Sequence, residues 1–346
     1  MKFLFIFKMI KKIDYNYLFT FVNTAISAKI MKFSFSVFFL LFNLIVFSQN
    51  IEIKNLNKHI SFLASDKMKG RGTGSKENAK VAAYIANYFK KYKLQPYGEN
   101  GFYQEFDAKI KKVKVNDSIR RARNVIGFLD NNAKKTIVIG AHYDHIGEGK
   151  QGSSLAENSY GIIHNGADDN ASGVAGLLEL ARIYSTNGII EPVNFLFIAF
   201  GAEELGLVGS RYFVKNTSFP LENIHWMLNM DMIGRLNKDR GLSIIGFGSS
   251  PEFELTFDSL DKNNHVKFYT GYEGRGGSDQ TSFYEKNIPV LFFHTGGHDD
   301  YHKPTDDVEK IDFESLKEIL DLEKTIIDNS FKIESMNFRN TDPVKN

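Results

Sequence analysis

Apolar side chains between residues 75 and 92 fall at Val81, Ile85, Tyr88, Phe89 and Tyr92, the spacing of an amphipathic helix, with Ser75 placed as its N-cap. Further on the pattern changes. Residues 135–140 and 193–200 carry the apolar runs Ile137–Ile139 and Phe195–Phe200 of the kind buried strands have, and 224–232, 242–246 and 288–294 read as further strands. The intervening pattern predicts helices over 173–184, 205–214, 251–260, 280–286 and 312–330. Strands that are apolar on both faces and alternate with amphipathic helices imply an α/β fold, a mostly parallel mixed sheet sandwiched between helices. In such sheets ligands bind beyond the carboxyl ends of the strands.

The start of the chain follows another pattern. Eleven of the 31 phenylalanines lie in the first 48 residues, together with six lysines and the single acid Asp14. This stretch carries +5, so the remainder of a chain of net charge +2 carries −3. The mild overall basicity therefore belongs to the leader, and charge gives a nucleic-acid role no support. Within it, Met31-Lys32 precedes an apolar run from Val37 to Phe47 and the polar exit Ser48-Gln49-Asn50. A short basic region, a short apolar region and a polar exit make a secretory signal peptide, too short for a spanning helix. Residues 1–48 are thus expected to be a cleaved leader, initiating at Met31 or at Met1. The result is a periplasmic or secreted protein with no stable membrane anchor; an uncleaved anchor is the alternative. Residues 50–346 contain no low-complexity linker and no repeat, and read as a single domain.

Of 346 residues, 24% are charged and 42% hydrophobic, which argues against a disordered, collagenous or multi-span membrane chain. There is no cysteine, so disulfide scaffolds, thiolate metal sites and cysteine nucleophiles are excluded. Any metal site has to be built from His, Asp and Glu.

Those residue types recur where strands meet loops. The first strand runs into His142-Tyr143-Asp144-His145, and Gly166-Ala167-Asp168-Asp169-Asn170 opens a helix. The second strand runs into Glu203-Glu204, the third into Asp231, and the last leads to Tyr301-His302-Lys303-Pro304. Each signal alone has an ordinary explanation: a loop hydrogen-bond pair, a helix cap, a solvated acidic face. Together they offer the carboxylate oxygens and imidazole nitrogens that divalent zinc takes, enough for two ions sharing one carboxylate.

The ordered set His142-x-Asp144, Gly-Ala-Asp-Asp169-Asn-Ala-Ser-Gly, Glu203-Glu204, Asp231 and Tyr301-His302-x-Pro resembles the co-catalytic dizinc aminopeptidases of the bacterial leucyl aminopeptidase and aminopeptidase Y type. The resemblance runs from about Leu63 to Ile326 and includes Gly70-Arg71-Gly72-Thr73-Gly74-Ser75. It implies a zinc exopeptidase-like three-layer fold without the protease-associated insertion of larger relatives. It also implies two Zn2+ ions and peptide substrates with a free N-terminus. Asp169 would bridge the ions, His142 and Asp231 completing one site and Glu204 and His302 the other. Asp144 would be the carboxylate orienting His142, and Glu203 the general base that passes a proton to the leaving amine. Tyr301 would donate to the oxyanion, as a tyrosine does in some relatives, and a cis peptide is implied after Asp169.

The same resemblance leaves His145, His164, His294 and His298 near the site, with His298 the competitor of His302, and His59, His225 and His265 outside it. The chain departs from the pattern at Gln280, where many relatives carry His after Ser-Asp. A glutaminyl cyclase or a carboxypeptidase-type enzyme of the same clan is the nearest alternative. Cyclases line their pocket with tryptophans, and this chain has only Trp226. A non-catalytic, receptor-like domain is the alternative of a different class, although such relatives have lost ligands that are all present here.

Overall fold

The computed structural model describes residues 50–112, 118–257, 260 and 265–343. The expected leader over 1–48 lies outside them. Among the described residues nine strands form one sheet in the order β1-β3-β5-β4-β6-β9-β7-β8, with β2 also paired to β3. They are β1 Gln95–Pro96, β2 Tyr103–Lys109, β3 Ile119–Leu129, β4 Thr136–His142, β5 Asn194–Phe200, β6 Ile224–Met230, β7 Leu242–Ile245, β8 Phe268–Gly271 and β9 Val290–His294. The centre of the sheet, β5-β4-β6-β9, is parallel throughout. Antiparallel pairing is confined to its flanks, where β3 joins β5 and β7 joins β9. Residues Ile51–Asn346 form one compact unit.

Alternation in β5 explains the layering. Phe195 and Phe197 pack into one core with Ile137 and Ile139 of β4, whereas Leu196, Ile198 and Phe200 pack into a second core on the opposite face with Val138. Both faces are dry, which is why these strands read as mainly apolar runs, and each fully buried side chain contributes roughly 1.5–3 kcal/mol of transfer free energy. Helices cover the two faces: α1 Ile53–Leu63, α2 Lys76–Lys91, α3 Gly173–Thr186, α4 Val208–Asn216, α5 Phe253–Phe257, α6 Gln280–Tyr284 and α7 Phe313–Ser330. Ser75 caps α2 by accepting the Asn78 N–H at 3.0 Å. The helix expected from residue 205 begins only at Val208, because Leu207 takes a left-handed φ of 56°. Helix α1 and strands β1, β2, β3 and β8 add to the elements the pattern gave. Among the described residues no helix is long and apolar enough to cross a membrane.

Candidate active site

The carboxyl ends of the parallel strands converge. His142 is the last residue of β4, Asp231 follows β6, and Glu203 and Glu204 lie in the turn after β5. Asp169 sits in the tight turn Ala167–Ser172 that feeds α3, and the Asp169–Asn170 peptide is cis. Gly166 enters that turn at φ 59°, and a Cβ there would stand 2.2 Å from the Asp169 carbonyl and 2.5 Å from the His145 ring, so only glycine fits. Asp306 fixes the turn from outside, accepting the backbone N–H groups of Asp168 and Asp169 at 3.0 Å each.

The two oxygens of Asp169 face different partners. Oδ1 is 3.3 Å from His142 Nε2, which is itself 3.2 Å from Asp231 Oδ1. Oδ2 is 3.1 Å from His302 Nε2, which is 3.2 Å from Glu204 Oε2. Four donors at bonds of about 2.0 Å around a tetrahedral zinc stand about 3.3 Å apart, so the spacing suits two such ions sharing Asp169. The charge balance points the same way. The side chains of Asp144, Asp169 and Glu204 are buried together, next to Glu203 and Asp231, and so dense a set of carboxylates in a dry site favours cations beside it.

Proton affinities reflect this crowding. Burial opposes charge on His302, but its hydrogen bonds to Asp169 and Glu204 overcome that and raise its pKa to about 11. His142 is likewise raised well above the imidazole range against burial, chiefly by Asp231 and Glu203. Burial and Asp169 act to raise Glu204, yet His145 and His302 hold it down at about 2. Glu203 is raised well above the carboxylate range by burial and by Glu204, Asp279 and Asp231, against the pull of His142. Asp279 is pushed up to about 7, first by burial.

A cavity of about 390 Å³ opens onto this cluster. Its polar end holds His142, Asp169, Glu203, Asp231 and His302, and Met232, Ile245 and Phe292 form its apolar wall. Tyr301 stands at the mouth, 37% exposed and stacked on His302 with ring centroids 4.0 Å apart.

Asp144 differs from expectation. Its carboxylate does not accept from His142; Oδ1 accepts the Glu203 backbone N–H at 3.0 Å and Oδ2 the Thr73 hydroxyl at 2.8 Å. The atom facing His142 Nδ1, at 3.2 Å, is the Asp144 backbone carbonyl, because the two residues are only two apart at a strand end. His298 stands apart from the donor cluster, between Asp168 Oδ2 and Arg235 at 3.1 Å each, and Arg235 in turn donates to Asp300 at 2.7 Å. This chain ties the neighbour of Asp169 to the segment carrying His302. His294 lines the cavity with Nδ1 2.8 Å from the Asp231 carbonyl. Gln280 is buried beneath, accepting from Asn229 at 3.2 Å. His145 is wholly buried, with Nδ1 2.8 Å from Glu204 Oε1 and 3.7 Å from Asp169 Oδ2. Sequence reasoning placed His145 near the site but gave no sign of these contacts. It gave none at all of the role of Arg71 described below, whose partners lie up to 98 residues away.

A two-sided carboxylate and imidazole cluster at the strand ends of a three-layer α/β fold is a candidate metal site. Residues 124–327 match Peptidase family M28, and the chain belongs to that family. Aminopeptidase YwaD of Bacillus subtilis is 33% identical over 175 residues, 45% of this chain and 36% of that protein. The chain spans about a third of the length of the curated relatives it matches. Among solved structures, a leucine aminopeptidase precursor from Bacteroides thetaiotaomicron superposes with TM-score 0.66 at 18% identity, covering 82% of this chain and 98% of that one. A glutaminyl cyclase from the same organism gives 0.65 at 18%, covering 81% and 98%. At these identities the structures share the fold with this chain.

Proposed function

We propose that the chain is an exported zinc aminopeptidase, cleaving residues from the free N-terminus of peptides with Glu203 as general base. The observation that carries this reading is Asp169, whose two oxygens each face their own histidine, itself beside a second carboxylate, at the polar end of a cavity. His142, Asp169 and Asp231 would hold one zinc ion, Asp169, Glu204 and His302 the other; bound there, zinc supplies Lewis-acid activation of water and of the scissile carbonyl. Glu203, aimed by the bond from its backbone N–H to Asp144, takes the proton from the attacking water and delivers it to the leaving amine. Asp231 and Glu203 line the cavity and offer negative charge to the substrate's ammonium group.

Burial, reinforced by Asp169 and Glu204, keeps the Tyr301 phenol protonated, so it remains a donor for the oxyanion. The wall of Met232, Ile245 and Phe292 favours an apolar first side chain. Trp226, the residue a cyclase pocket would need, is buried with Nε1 on Ser330 at 3.2 Å and does not line the cavity. Export follows from the basic, apolar and polar succession of the first 48 residues.

The test is hydrolysis of leucyl-arylamide beside its N-acetyl derivative. Cleavage of the free amine alone is expected. Equal cleavage of both, or cyclisation of an N-terminal glutamine in place of hydrolysis, would overturn the reading.

A further inference from the structure

Glu203 stands on a strained turn. Ala202, the residue before it, carries a side chain yet takes a left-handed φ of 58°, a conformation that persists only where its surroundings impose it. The turn is fixed through the backbone of Glu203. Gly206 and Leu207 donate to its carbonyl at 2.7 and 2.9 Å, and its own N–H donates to Asp144 Oδ1 at 3.0 Å. The aim of the base therefore depends on where the Asp144 carboxylate sits. That carboxylate is fully buried, and the Thr73 hydroxyl, buried beside it, donates to its other oxygen at 2.8 Å.

Thr73 is itself held in place. Gly72 pairs with His145 in a parallel bridge, which lays the segment along the strand end that carries Asp144. The Thr73 carbonyl accepts from Gln151 Nε2 at 3.1 Å. Gly70 turns into the segment at φ 62°, where a Cβ would stand 2.2 Å from the His164 carbonyl. All of this lies outside residues 124–327, the part of the chain that matches the family.

We infer that Thr73 is a positioning residue for the general base: its hydroxyl fixes the Asp144 carboxylate, and Asp144 fixes the backbone of Glu203. This rests on the role proposed for Glu203 in the preceding section. A residue acting only through the base should affect the chemical step and leave the binding of substrate and metal as they are.

The test is kinetic, in full-length zinc-loaded protein with leucyl-arylamide as substrate. Thr73→Val keeps the shape and removes the donor, whereas Thr73→Ser keeps the donor. In Thr73→Val, kcat per bound zinc should fall about 10-fold or more with KM within about twofold of wild type, and Thr73→Ser should regain most of the loss. Added to Glu203→Gln, Thr73→Val should lower the residual kcat by less than about twofold, because residues that act as a unit are not additive. An unchanged kcat per zinc in Thr73→Val, beside an active wild type, would overturn the inference and leave the aminopeptidase reading standing. An equal fall in both backgrounds, the mark of a merely structural role, would do the same. A zinc-loaded wild type without activity would overturn both. Should Thr73→Val not fold, Thr73→Ala, smaller and equally without a donor, is read in the same way.

Discussion

Arg71 donates from Nη2 to the backbone carbonyl of Asp169 at 3.1 Å, and so holds the shared carboxylate from behind. The same buried guanidinium reaches the carbonyls of Tyr143 at 2.9 Å, Gly166 at 2.7 Å, Leu63 at 3.4 Å and Asn165. One side chain thus joins the strand end carrying His142 to the turn carrying Asp169. Arg71→Met leaves these carbonyls without their charged donor. A loss of at least about 3 kcal/mol is expected, read as a melting temperature lower by about 6 °C or more. Arg71→Lys, with fewer donors and no planar fork, restores only part of it.

Loading the metal should release protons. In the cation-free protein His302, at about 11, and His142, raised well above its ordinary range, both carry a proton at neutral pH. Coordination requires the neutral ring. Calorimetry of zinc binding in buffers of different ionisation enthalpy should report at least two protons released per protein at pH 7.5. Fewer than one would contradict the assignment of these two rings.

Glu203→Gln keeps the shape and removes the base. Bound zinc should be unchanged, since Glu203 lies outside both donor sets, while kcat falls by about 10²–10⁴ with little change in KM. A variant of full activity would remove Glu203 from the role.

Two histidines far from the chemistry set the acid limit of the fold. Burial, with Lys58 and Lys91, lowers His59 to about 3, and burial with Lys135 lowers His225 to about 4. Unfolded, both titrate near 6.5, so between about pH 6.5 and 4 the unfolded chain binds protons that the native state does not. Their stability contribution is present above pH 6.5 and is lost as pH falls. Each adds up to about 1.4 kcal/mol per pH unit to the slope. His59→Gln, which can still meet the Tyr84 hydroxyl now 2.8 Å from Nδ1, should flatten the slope by up to that amount in denaturant titrations at pH 7, 6 and 5.

The parallel centre of the fold was legible because β4, β5 and β6 are buried on both faces and read as mainly apolar runs. The flank was not. In β2 and β3 half the positions face water, and Arg120, Arg121 and Arg123 in β3 mask the alternation. The donors announced themselves by sitting at strand ends, where few other constraints select His or Asp. Their supports did not, because the bonds from Arg71 to Asp169 and from His298 to Asp168 join residues 98 and 130 positions apart. The reassignment of Asp144, from partner of His142 to partner of Glu203, has the same origin: carboxylate and carbonyl of one residue are indistinguishable until the backbone direction is known.

The most direct measurement is zinc titration into chelator-stripped protein, with cleavage of leucyl-arylamide and bound metal followed in the same sample. Activity should be absent in the stripped protein, return as zinc is added, and level off when two equivalents are bound. Cleavage that survives complete removal of metal, or that never returns although two equivalents bind to folded protein, would contradict a zinc aminopeptidase centred on Asp169.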